Sequence, residues 1–301
     1  MKTRTKVLLA LGALLGLALL VGIAVPSSGR NMEYKPQDEF MVEPWVELQV
    51  GRIDMSINKG VFYLLLAALA TTLTLVFIAN RMQARPNRVQ TLVEFAYEFI
   101  RNNITGPNNI EDRRMATKWF GFIAALFLFI WFSNMIGYLP LPVNTQETVN
   151  VFGVDVPSIA LYAATANLST PLILTLVVWF SYHVEGIRAK GFKNYVKGWI
   201  PAGTPRKLLF LVIPIEVISQ FVRIISLSVR LFANLLSGHL LILFMGGGMV
   251  VLLGAAWIGV LTTPIAVIFF FFEIVLIASL QAFIFATLTA IYLGEAVAEG
   301  H

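Results

Sequence analysis

LLFLVIPIEVISQFVRIISLSVRLFANLLSGHLLILFM, residues Leu208–Met245, runs for 38 residues without a clear break. As a helix it would be roughly 57 Å long, almost twice the ~30 Å hydrocarbon core that about 20 residues cross. A second apolar stretch, Pro264–Gly294, has 31 residues and is too long for the same reason. GGGMVVLLGAAWIG, Gly246–Gly259, joins the two. Excess length of this size is taken up by steep tilt, a kink or a break. The expectation is therefore a hairpin of two long, steeply tilted C-terminal helices.

Composition sets the frame around this hairpin. Of 301 residues, 57% are apolar and 13% are charged, about half the charged share of a soluble domain. The apolar residues come in long blocks rather than short alternating segments, which excludes a β-barrel. There is no cysteine, so disulfide and thiol chemistry are excluded. The net charge of +5 sits in the loops between blocks, where membrane topology accounts for it without nucleic acid.

The blocks give an all-α integral membrane protein with about five core spans plus an N-terminal hydrophobic segment. Val7–Val25 follows a basic start and precedes Pro26-Ser27-Ser28-Gly29, as in a signal peptide or a signal anchor, with removal and retention both open. Residues 1–59 are assigned to this segment and an external polar stretch, and residues 60–301 to the membrane domain. Val61–Ala79, Trp119–Leu139 and Ile159–Tyr182 are further spans. Between them, Arg81–Lys118 carries seven Lys/Arg against four acids, and His183–Lys207 carries six against one. Leu141–Ser158 has two acids and no Lys/Arg. The alternation puts the basic loops and the C-terminus in the cytoplasm. Val89–Asn102 has apolar residues at helical spacing and reads as an interfacial helix.

Polar residues inside the long hairpin call for an explanation. An arginine at mid-bilayer costs about 2.5–3.5 kcal/mol on insertion scales. Glu216, Arg223 and Arg230 stand seven apart, and Gln220, Ser226, Asn234 and Ser237 fall on or near the same line. His239 lies nine residues past Arg230, about 180° around the helix, and faces a different environment. On the second arm stand Glu273 and Gln281. His239 and Glu273 both titrate and can face each other as a proton-exchanging pair. Arg230 cannot relay protons, because guanidinium keeps its own; it is a fixed cation that would stabilise a passing carboxylate as the anion. Plainer readings stand beside these. Arg223 can snorkel to the interface. The serines taken alone glue helices together. Asn134 and Asn167 cap or bridge helices, and His183 is solvated in a loop. No phosphate-binding glycine loop, metal-ligand spacing or nucleophile–base arrangement stands out, so no cofactor, metal or hydrolytic activity is expected of this chain.

ISLSVRLFANLLSGH resembles the signature of the subunit a family of F-type ATP synthases. The resemblance continues in LQAFIFATLTAIYL (Leu280–Leu293), FSNMIGYLP (Phe132–Pro140), TANLSTPL (Thr165–Leu172) and VEFAYEFIRN, and it covers roughly Val61 to the C-terminus. It implies a proton-translocating stator subunit that is not itself an enzyme. The implied partners are the c-ring, subunit b of the peripheral stalk and the other subunits of the complex. The basic start followed by an apolar core points to a bacterial plasma membrane rather than a mitochondrion. Arg230 matches the essential arginine that faces the rotating c-ring carboxylates and separates two half-channels. Asn234, His239, Glu273 and Gln281 match positions lining the outer half-channel, and Glu216 and Ser226 match positions near the inner one. Family members often place the titratable partner seven residues before the glutamine, whereas Glu273 stands eight before Gln281, so a local bulge or a rotation is expected there. Without the resemblance, two rival readings stay open: a secondary transporter with Arg230 as an anion clamp, and a structural anchor.

Overall fold

The computed structural model describes residues 3–25, 40–42, 44–51, 53–80, 82–83, 85–106, 109–151, 154–160, 162–200 and 204–298. The elements in chain order begin with α1 (Thr3–Ala24). The short strands β1 (Pro44–Val46), β2 (Gln49–Val50), β3 (Ile53–Asp54) and β4 (Ile57–Asn58) follow. Next come α2 (Lys59–Asn80), α3 (Arg88–Phe99), α4 (Arg113–Gly137), β5 (Leu141–Val151), β6 (Val154–Ala160), α5 (Ser169–Lys190) and α6 (Phe192–Lys197). The chain ends in α7 (Leu209–Leu243), α8 (Met249–Leu253), α9 (Ala256–Phe272) and α10 (Ala278–Val297). Among the described residues, five helical segments are long and apolar enough to cross a membrane: Lys59–Ile78, Arg113–Gly137, Ser169–Lys190, Leu209–Leu253 and Ala256–Val297. This is the expected all-α membrane fold with two over-long C-terminal helices.

The boundaries differ from the sequence reading at three places. The join between the long helices shrinks to Gly254 and Ala255. Gly246–Gly248 stay helical within a π-turn (Phe244–Gly248), and Gly254 supplies the left-handed C-cap at φ +65°. Pro264 does not begin the second arm but sits inside α9, where it removes one ladder hydrogen bond. The third span does not start at Ile159. β6 runs to Ala160, and α5 begins at Ser169, whose backbone N–H donates to Asn167 Oδ1 at 3.0 Å. The loop Leu141–Ser158, expected to be external, pairs as an antiparallel hairpin, β5 against β6, because its β-branched residues suit an extended chain. α4 ends just before Pro140, which disfavours the helical conformation at Leu139.

The chain forms two units. The first contains the described residues within 1–59, 138–162 and 234–277. Here α1 lies against α9, with Gly22 in van der Waals contact with Trp257, and α8 folds back on α9. Strand β1 pairs with β4, and β2 pairs with β3 around Gly51. Pro26–Gly29, the end of the expected signal peptide or anchor, and residues 27–39 of the expected external stretch lie outside the described residues.

The second unit contains the described residues within 60–137, 163–233 and 278–301. Its core forms where α10 packs against α4 and α5. Ala278, Ala282, Ala286 and Ala290 recur every fourth residue on α10 and are all fully buried. A stripe of small residues lets helix backbones approach closely where lipid supplies no hydrophobic drive. Polar groups then clip the helices together. Trp131 Nε1 donates to Ser279 Oγ at 3.1 Å, and Asn134 Nδ2 donates to the Ala278 carbonyl at 3.2 Å. Thr165 Oγ1 donates to Asn134 Oδ1 at 2.8 Å, so Asn134 is interhelical. Lys118 pairs with the buried Glu185. The helix expected over Val89–Asn102 is present as α3, capped by Asn87 accepting from Gln90 N, with Val89, Leu92 and Phe95 exposed on one face.

Close approach makes one glycine diagnostic. A Cβ on Gly137 would come 2.7 Å from Ala163 Cα, whereas a Cβ on Gly121 of the same helix would meet nothing within 4 Å. Gly137→Ala is expected to destabilise the fold by about 1–3 kcal/mol and Gly121→Ala to be neutral or stabilising. Thermal midpoints of the detergent-solubilised protein check the pair.

Candidate functional site

In the second unit, α7 turns two different faces outward and inward. Val222, Ile225, Ser226, Val229 and Arg230 are exposed, while Gln220, Leu227, Ser228 and Leu231 are buried. The two sets follow the 3.6-residue period. Arg230 thus stands on an apolar exposed face and forms no ion pair among the described residues. Ser226 lies one turn before it on the same face.

Arg223 is answered where Arg230 is not. Its guanidinium pairs with Glu295 at 3.1 Å and lies over the Tyr292 ring at 4.6 Å. The arginine is therefore held by the end of α10 rather than left to snorkel. Glu216, Gln220, Arg223 and Glu295 line a cavity of about 200 Å³ that Tyr182 and Tyr292 also border. Tyr182 donates to Gln220 Oε1 at 3.0 Å across this cavity wall. The site candidate Glu216 thus opens onto a polar recess in which two carboxylates and one guanidinium meet. His183 is not a solvated loop residue. Because α5 continues to Lys190, His183 falls one turn past Trp179, lies tilted against its ring at 4.1 Å, and is bordered by Tyr182, Tyr195 and Trp199.

In the first unit, His239 is 2% exposed, and its Nδ1 lies 3.0 Å from the Leu235 carbonyl. Tyr138 stacks on the imidazole at 4.4 Å and donates its hydroxyl proton to Glu273 Oε2 at 3.2 Å. His239 and Glu273, expected to approach each other, are linked through this phenol. Gly238 leaves the room that Glu273 needs: a Cβ there would collide with the carboxyl group. Asn234, earlier on the helix, is exposed.

The unusual spacing before Gln281 has a backbone counterpart. Residues Glu273–Ile277 form a π-helical turn, which absorbs one extra residue into the helix. A separation of eight across that turn then advances the helix as a separation of seven would elsewhere. The bulge expected at this place is present. Gln281 itself is buried on α10. Tyr138 and Gly238 escaped the reading of single residues, although both lie within quoted motifs, YLP and SGH. The signal was a tyrosine closing a span and a glycine beside a histidine, and neither is ionic. Removing the phenol by Tyr138→Phe should shift the infrared carboxyl stretch of Glu273, identified by its loss in Glu273→Gln. The variant Tyr292→Phe, in the cavity at Glu216, should leave that band in place.

The comparisons with known proteins agree on one family. The family model described as ATP synthase A chain matches residues 61–294. A protein named ATP synthase subunit a from Rubrobacter xylanophilus is 35% identical over 256 residues, 83% of this chain and 88% of that one. The same name belongs to relatives from Bradyrhizobium diazoefficiens, 33% identical over 90% of this chain and all of that one, and from Parvibaculum lavamentivorans, 30% identical over 91% and 97%. With the match spanning the membrane helices and both arms of the long hairpin, this chain belongs to the ATP synthase A chain family.

Proposed function

We propose that this chain is the stationary proton-channel subunit of the membrane sector of an F-type ATP synthase, with Arg230 as the charge that faces the rotor. The observation that carries the reading is Arg230 itself. It is exposed on an apolar helix face of a membrane span and has no ion-pair partner among the described residues. A guanidinium cannot shed its proton to lower the cost of that position. A carboxylate supplied by another subunit would meet the need. Carboxylates of a c-ring passing Arg230 in turn are the occupants this favours.

Each candidate residue then has a role. Protons enter from one side at the titratable cluster of His239 and Glu273, with Tyr138 holding the carboxyl, and with Asn234 and Gln281 on the same route. A rotor carboxylate takes up the proton, becomes neutral and moves into lipid. On returning to Arg230, a carboxylate is stabilised as the anion and gives up its proton on the other side, near Ser226 and the cavity at Glu216. The fixed positive charge also repels a cation that would cross without turning the rotor. The chain binds no nucleotide in this scheme, and ATP synthesis belongs to the assembled complex. Residues 60–301 carry the channel, and residues 1–59 serve as signal or anchor and external segment. Subunit b and the c-ring are the assigned neighbours. The basic loops Arg81–Lys118 and His183–Lys207 favour a cytoplasmic C-terminus in a bacterial plasma membrane.

In vesicles carrying the whole complex, Arg230→Ala should abolish ATP-driven proton pumping while passive leak through the membrane sector persists or rises. Unchanged pumping with an assembled complex would overturn the role given to Arg230.

A further inference from the structure

A second cavity, of about 530 Å³, lies away from the residues assigned to ion transfer. It falls in the range of about 300–1,000 Å³ usual for ligand pockets. It is lined by Tyr97, Arg101 and Thr105, by Glu111, and by Arg113, Thr117 and Phe120 of α4. α2 before it and α4 after it are each long and apolar enough to cross a membrane, and a segment joining two such spans belongs at one membrane face. The exposed apolar row Val89, Leu92 and Phe95 on α3 places the same segment at the level of the lipid interface.

The cavity is braced. The π-turn Ile100–Ile104 leads into it, and Asn109 Nδ2 closes the loop by donating to the Asn103 and Ile104 carbonyls at 3.3 and 2.8 Å. Gly106 lets the loop pass directly over the Asn102 carbonyl, where a Cβ would collide. Neither Arg101 nor Arg113 pairs with a carboxylate among the described residues, Glu111 included. Arg101 is oriented by Tyr97, to whose hydroxyl it donates at 3.2 Å. The Tyr97 and Phe120 rings meet edge to face at 4.9 Å and give the cavity an apolar side.

Two unpaired guanidiniums, nearby hydroxyls and an aromatic wall at headgroup depth match one chemistry. We infer that this cavity binds the headgroup of an anionic phospholipid, with the phosphate between Arg101 and Arg113 and the upper acyl chain against Phe120. Arginine forks suit phosphate oxygens, and basic recesses at a membrane face attract anionic lipids. A bound lipid would tie α3 to the start of α4 without touching the ion path.

The test uses the intact complex in phosphatidylcholine nanodiscs doped with a photoactivatable phosphatidylglycerol. Label is expected within residues 97–120. Arg101→Gln combined with Arg113→Gln should cut it about tenfold, while the corresponding pair of lysine variants retains most of it. Equal labelling by a photoactivatable phosphatidylcholine, or unchanged labelling in the glutamine pair, would overturn the inference. Competition by inorganic phosphate as strong as that by unlabelled phosphatidylglycerol would overturn a lipid source in favour of soluble phosphate. Labelling that appears only after the peripheral subunits are stripped would mean that a protein segment fills the cavity, and would also overturn it. Should the glutamine pair fail to assemble, the wild-type map decides: label confined to other segments refutes the site.

Discussion

Inside a bilayer no water answers a buried charge, and the charges of this chain are arranged by that constraint. Lys118 is answered by Glu185, and Arg223 by Glu295 and the Tyr292 ring. Glu273 accepts a hydrogen bond from the Tyr138 hydroxyl, and Asn134 bridges to Thr165 and to the Ala278 carbonyl. Arg230, a permanent cation on an exposed apolar face, has no ion-pair partner among the described residues. A partner of opposite charge on another subunit is the answer proposed for it.

Irregular backbone serves the same end. The π-turn at Glu273–Ile277 takes in one residue beyond the regular helix and sets the carboxyl against the gap left by Gly238. The π-turn at Phe244–Gly248 keeps three glycines helical, and Gly254 then reverses the chain in the shortest space. A third, at Ile100–Ile104, opens the interfacial cavity. π-turns gather at functional places because the extra residue displaces side chains from the regular ladder. On α10 the opposite strategy holds: the buried alanines keep the ladder regular and bring α4 close.

Much of the fold was legible because it rests on local rules. Span number followed from block length, α3 from its apolar period, and the over-long hairpin from simple division by the helical rise. The misjudged boundaries have local causes that compete with hydropathy. An apolar run from Ile159 looks like a span, yet its first residues pair as β6 and the helix waits for Ser169. Pro264 looks like a helix start but lies within α9, where length and apolarity outweigh one lost hydrogen bond. His183 looked solvated only because the helix was ended too soon.

From the sequence alone came the membrane class, the opposed faces of α7, and a guanidinium at Arg230 that needs an answer. These depend on composition, on the 3.6-residue period and on a pKa that surroundings cannot move far enough to discharge. Tertiary structure alone decided which partners meet. Tyr138 reaches Glu273 across 135 residues of chain, and Arg223 reaches Glu295 across 72. No periodic pattern encodes such pairings. They arise when small residues let helices approach and the remaining polar groups, cut off from water, take the donors and acceptors that packing brings within reach.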